Sequence, residues 1–201
     1  MTWIIAIIVY ALFLLWYVGW RRPLKPQEIE AYMGKLENFG NAEPERLTEV
    51  RKFLERDDGK QFFMMNLIEL KEKPDPVEGV PADLSSATML RRYTNGWFSR
   101  ALFSRAGWFA FISRPKAGPI EMWGAEPAAR WSAFGIVRYR SRRDMIEILS
   151  RPEFHEGHRY KLAAIESTIA YPTTGLLMLT PPLVIGLAIA LCAALLNTFF
   201  P

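Results

Sequence analysis

The chain is poor in the residues that ordinarily carry chemistry. It has one cysteine, Cys192, and two histidines, His155 and His158. A single thiol excludes an intrachain disulfide, and its place in an apolar run makes it a small packing residue. The nucleophile elbow G-x-S-x-G, the phosphate loop G-x-x-x-x-G-K-[ST] and the dinucleotide fingerprint G-x-G-x-x-G are absent, as are internal repeats and low-complexity tracts. Charge is also missing in two places. No charged side chain lies between Trp3 and Trp20 or between Ser167 and Pro201, so the near-zero mean hydropathy averages two apolar ends with a polar middle.

The apolar ends read as membrane helices. At ~1.5 Å of rise per residue, the run from Trp3 to Trp20 makes about 27 Å of helix, enough for a bilayer core. Trp3 at one end and Trp16, Tyr17 and Trp20 at the other suit the two interfacial belts. With no positive segment before the run and no small-x-small cleavage site, it reads as a retained anchor and not as a signal peptide. Arg21, Arg22 and Lys25 follow at once, which by the positive-inside rule puts the middle of the chain on the cytoplasmic side of a bacterial inner membrane and both ends on the other. The second run is broken by Pro181 and Pro182, so its spanning helix starts there, with Gly175 to Thr180 as an entry segment. Gly186, Ala190 and Ala194 form a small-residue stripe along which another helix can approach: the chain's own first span, a dimer mate's, or another membrane protein's.

Between the ends, residues 22–58 read as an amphipathic helical hairpin. One helix, over 27–40, carries Ile29, Tyr32, Met33 and Leu36 on one face and stops at Gly40; the other runs from Pro44 to Arg56 with Leu47, Val50, Phe53 and Leu54 inward. Asp57-Asp58-Gly59 is a turn. Gln61 to Leu70 is a strand with apolar residues on both alternating sets, which requires cover on both faces, either from a second sheet or from the hairpin. After the loop Lys71–Ala82 comes a helix, Leu84–Arg105, with Gly96 as its weak point. A strand over Trp108–Ser113 and an irregular connection over Arg114–Arg130 follow. The stretch from Trp131 begins as a strand, up to Tyr139, and switches to helical period at Ser141, an N-cap with Asp144 three residues on. Pro152 ends or kinks that helix, and Ser167–Ala170 is a last short strand.

Two pieces, Phe53–Leu70 (FLERDDGKQFFMMNLIEL) and Trp131–Pro172 (strand, RY, SR, helix, P, then K leading to AA, T, strand and P), resemble a bacterial family of unknown function in the dimeric α+β barrel superfamily. The resemblance implies an α+β fold, a ferredoxin-like βαββαβ domain over 59–173 flanked by transmembrane helices over 1–21 and 174–201. It also implies a homodimer in which a second sheet closes a barrel. It implies no particular reaction.

Site candidates are few. From Pro26 to Leu90 there are 8 basic and 14 acidic residues; from Arg91 to Arg143 there are 11 basic and 2 acidic. For a tethered domain such a basic block reads first as attraction to anionic lipid headgroups, next as a site for an anionic ligand or protein partner, and otherwise as a solvated face. No nucleic-acid motif accompanies it. His155 and His158 share a helical face and offer a haem edge or metal pair, but H-E-G-H is one residue short of the zinc-protease spacing, and no third ligand is near. The residues call for no cofactor; the superfamily's haem-degrading members keep haem as the alternative. Asn66, among apolar neighbours, needs hydrogen-bond partners, and Tyr93 and Trp97 are candidates to line a ligand cavity with it. Arg138 and Tyr139, with the histidines, are the candidate acid, base or anion clamp of an enzyme. Three functions remain open: a membrane-anchored module that binds a lipophilic small molecule or serves as an accessory subunit of a membrane complex, a cofactor-free or haem-using oxygenase or isomerase on a lipophilic substrate, and a tether with a solidly packed interior.

Overall fold

A computed structural model describes residues 1–38, 43–121, 123, 130–175 and 181–199. Gly40, the expected helix stop, Gly124 and Pro127 of the expected connection, and residues 176–180 of the expected entry segment lie outside the described residues. In chain order the elements are helices α1 (Thr2–Val18), α2 (Pro26–Asn38) and α3 (Pro44–Glu55), strand β1 (Phe62–Leu70), helices α4 (Ser86–Tyr93) and α5 (Ser99–Ser104), strands β2 (Trp108–Ser113) and β3 (Ala133–Tyr139), helices α6 (Arg142–Leu149) and α7 (Pro152–Ala164), strand β4 (Ile165–Thr173) and helix α8 (Pro181–Phe199).

The strands form one antiparallel sheet in the order β2-β3-β1-β4. Alternation along β1 sends Phe62 and Met64 to one face, where they meet Tyr139, Val137 and Phe109, and Met65 and Leu67 to the other. The first face is covered by helices. Its core joins Phe62, Val137 and Tyr139 to Tyr93, Phe98 and Leu102, to Met145, Ile146 and Phe154, and to Leu24, Ile29, Met33 and Leu54 of the α2–α3 hairpin. The hairpin thus lies on the same side as the other helices, with Phe53 edge-on to Phe62 at 5.0 Å between ring centroids.

Local chemistry explains most boundaries. Ser141 Oγ accepts from the Asp144 backbone N–H at 3.0 Å and donates to its carboxylate at 2.6 Å, a reciprocal cap with Asp in the place usually held by Glu. Pro152 opens α7 at its first turn. The helix predicted as continuous over Leu84–Arg105 is interrupted instead: α4 and α5 are joined through a kink at which Gly96 leaves the helical region altogether (φ −79°, ψ −143°). Strand β4 exceeds the four residues predicted for it, extending through Pro172, because it is an edge strand that pairs only with β1 and so tolerates a residue without an N–H.

The ends differ from expectation in one respect. The sequence predicts a spanning helix at each end; among the described residues only α8 is long and apolar enough by itself. Helix α1 has 17 residues and stops at Val18, short of Trp20, where Gly19 turns the chain at φ +66°. Side chains from far along the chain, on β3 and the β3–α6 turn, cap the carbonyls of its last turn. The two apolar helices pack antiparallel. Tyr10 Oη donates to the Pro182 carbonyl at 3.0 Å, and its ring fills the space over Gly186. Of the predicted small-residue stripe, Gly186 and Ala190 therefore line contacts with α1, while at the far end Ala193 is buried and Ala194 exposed.

Candidate functional site

The kink at Gly96 opens a cavity of about 310 Å³ against α7, lined by Tyr93, Gly96, Trp97, Phe154, Gly157 and Tyr160. Its rim mixes Arg92 and Arg159 with Glu153 and Glu156, so it favours neither sign of charge strongly. Behind the rim lies an aromatic stack: the Tyr93 ring on Phe98 at 5.0 Å, His158 on Phe154 at 5.0 Å, and His158 edge-on to Tyr93 at 5.8 Å. Burial, helped by the positive charges of Lys161 and Arg46, pulls the His158 imidazole down to about 4, so it is neutral at physiological pH. Burial also raises the Tyr93 hydroxyl well above its ordinary value and lowers the Lys161 ammonium to about 8.

Of the sequence candidates, the structure brings Tyr93, Trp97 and His158 to this cavity and its floor. It turns His155 elsewhere: Nε2–H donates to the Leu149 carbonyl at 2.8 Å, at the end of α6. The two imidazoles do not aim at one point, and the described residues hold no group of three or more His, Cys, Asp or Glu side chains placed for a metal. Asn66 satisfies its amide on the backbone, donating to the Met64 carbonyl at 3.0 Å and the Gly135 carbonyl at 3.5 Å. Tyr139 is a core residue stacked on Phe62 at 5.2 Å, its hydroxyl raised by burial.

Arg138 is placed where sequence reasoning did not look. Its side chain, 1% exposed, lies at one end of the sheet's second face, between Tyr17 of α1 and Trp108 of β2, 3.8 and 4.7 Å from their ring centroids. Nε donates to Gln61 Oε1 at 2.8 Å, Nη2 to the Tyr17 carbonyl at 3.0 Å, and Nη1 to the Ala106 carbonyl. No carboxylate among the described residues binds it, and burial lowers its guanidinium to about 10. Arg140 donates to the Trp16 carbonyl at 3.2 Å and grips Asp144 with two bonds. Arg143 grips Glu28 and reaches the carbonyls of Arg22 and Pro23. Three arginines of the basic block are thus internal fasteners that hold the C-terminal end of α1 and the segment after it; cations there also complement the negative end of the helix. Alternate arginines leaving a strand end were the available signal.

The rest of the second sheet face is bare. Met65, Phe111, Ile169 and Tyr171 are 41, 52, 39 and 59% exposed, and Leu67, Phe134 and Ile136 lie among them in register. The face carries two charged residues besides these, the enclosed Arg138 and Glu69, whose carboxylate accepts from Ser167 Oγ and the Arg130 N–H.

No family model matches the chain, and no curated protein does. Solved structures do. RPA0582, a protein of unknown function from Rhodopseudomonas palustris, superposes with a TM-score of 0.52 at 19% identity, over 69% of this chain and 97% of its own. Its methylated form gives 0.54 at 18% identity, over 70% and 96%. At these identities the likeness is one of fold.

Proposed function

We propose that the protein is a membrane-anchored, homodimeric α+β module, held by α1 and α8 with its domain on the cytoplasmic side of a bacterial inner membrane, that encloses a lipophilic small molecule between two apposed sheets. The observation that carries this is the bare apolar face of the sheet beside two helices that are apolar on nearly every outward position, Ile4, Ile7, Leu12, Leu183, Leu187 and Leu191 among them. Apolar patches of this kind on a soluble monomer mark a missing partner. The α1–α8 pair finds it in lipid, which lets the 17-residue helix α1 be completed as an anchor by its neighbour and the Trp20 interface. The sheet face finds it in a second copy: the strand order β2-β3-β1-β4 with helices on one side supports a ferredoxin-like reading, in which two such sheets face to face would close an α+β barrel.

Native mass spectrometry of the full chain, extracted gently from its own membrane, tests the proposal. The expected species is a dimer with a defined extra mass of lipophilic character, and Ile169→Asp/Tyr171→Asp is expected as a bare monomer. A monomeric wild type refutes the dimer. A bare dimer bound to other subunits replaces the ligand reading with the accessory-subunit one.

The enzyme alternative rests on the neutral His158 beside Tyr93 at the Gly96 kink. A Soret band that disappears in His155→Ala/His158→Ala would support haem chemistry there; a featureless spectrum together with unchanged turnover of any identified substrate would remove the histidines from the mechanism.

A further inference from the structure

Where α1 ends, a second cavity of about 280 Å³ opens between its exit segment and the start of α6. Trp20, Arg21, Arg22, Gly59, Arg140 and Arg143 line it. Two carboxylates also face it, and both already have partners: Asp144 is held within the wall by Arg140 and Ser141, Glu147 by Arg105 at 3.3 Å and the Tyr32 hydroxyl at 3.4 Å. The cations are less well matched. Arg21 makes no hydrogen bond or ion pair among the described residues, and Arg22, with its side chain 62% exposed, has a single 3.4 Å contact with Glu28, which Arg143 already holds by two bonds. The backbone N–H groups of Trp20, Arg21 and Arg22 likewise donate to no acceptor among the described residues. Arg21 is held here in the left-handed region, φ 43°, and Gly59, at φ +68°, lets the chain pass so close that a Cβ would lie 2.6 Å from the Arg21 carbonyl carbon. The backbone is thus bent so that two arginines with few partners, in a run whose backbone N–H groups have no acceptor among the described residues, belong to the lining of one concavity.

We propose that this cavity is a binding site for a phosphate-bearing anion, with Arg21 and Arg22 as the ligating cations and Arg140 and Arg143 as fixed walls. Guanidinium forks match phosphate oxygens bidentately, and backbone amides supply further donors. Resting on the membrane-anchored reading, the site lies at the depth of a headgroup: it adjoins the last turn of an apolar helix and Trp20, which is 90% exposed. An anionic phospholipid is therefore the expected source, a free phosphate the other.

The test uses the full chain in neutral detergent. Membrane partition is measured first and separately, by alkaline carbonate extraction, so that failure of the anchoring reading is seen on its own. Phosphatidylglycerol, phosphatidylcholine and inorganic phosphate are then titrated in turn and followed by native mass spectrometry. Phosphatidylglycerol is expected to be retained at least fivefold more than phosphatidylcholine, Arg21→Ala/Arg22→Ala to abolish that preference, and the distant Arg114→Ala/Lys116→Ala to keep it. Both residues of the test pair are exposed, so the variant folds. Retention of inorganic phosphate in place of lipid, lost in the same variant, assigns the site to free phosphate. Equal retention of the two lipids without phosphate binding, or equal loss in the two double variants, overturns the proposal.

Discussion

Replacing Arg138 by methionine tests how the domain holds its first helix. The substitution keeps an unbranched apolar stem and removes the guanidinium that bonds Gln61 and the carbonyls of Tyr17 and Ala106 and lies over Tyr17 and Trp108. Each buried carbonyl left without a donor costs ~1–3 kcal/mol. Loss of a desolvated cation–π contact adds ~2 kcal/mol. Against this stands the relief of keeping an unpaired cation out of water, which is several kcal/mol in the other direction. The balance is a loss of about 3 kcal/mol, which for a chain of this size lowers the melting temperature by about 6–12 °C. Melts followed by tryptophan fluorescence in detergent measure it, and tryptic cleavage after Arg21 should quicken as the end of α1 comes free. Arg138→Lys is the decisive companion. If positive charge alone mattered, lysine would suffice; if the planar fork and its stacking matter, lysine falls as far as methionine. A lysine variant within 2 °C of the wild type would refute the reasoning.

His158 has a folded value of about 4 against an ordinary 6.5, so between these the unfolded chain binds the proton and the folded one does not; stability is present above 6.5 and is lost as pH falls toward 4, by up to about 3 kcal/mol. His158→Gln should flatten that limb in chemical denaturation curves taken from pH 4 to 7. Gly59→Ala should lower the melting temperature by several degrees, since φ +68° is strained for alanine and its Cβ meets backbone at 2.6 Å. Gly186→Ile should drive Tyr10 out of its seat, 3.0 Å away, and raise protease access to both apolar helices, while leaving the domain's tryptophan emission unchanged.

Much of the fold is legible in short stretches of sequence. The change of period after Tyr139, the Ser141–Asp144 pair, Pro152 and Pro181 each act within a turn of the chain, and each marks a boundary that the structure has. What is decided at long range is not legible. The carbonyls of the last turn of α1 are taken by arginines some 120 residues later, at separations of 121 and 124, which nothing near Val18 announces. The same arginines look, by composition, like a surface patch. At the candidate cavity, Tyr93 and Trp97 are close enough in sequence to be read together, and Gly96 between them flagged the weak point, but no pattern announced a full break in the helix there. Asn66 drew notice as a polar residue in an apolar strand, and its partners proved to be carbonyls of its own and the adjacent strand, which any sequence supplies.

The arginine fastening also bears on the order of assembly. During synthesis α1 leaves the ribosome long before β3, so when Arg138 appears its acceptor at Tyr17 has already been made. A sheet closing without that helix in place would leave the guanidinium uncovered on the side that Tyr17 shields, with Gln61 and the Ala106 carbonyl as its remaining partners. Completion of that end of the sheet is therefore conditional on the docking of α1, the first helix to be made.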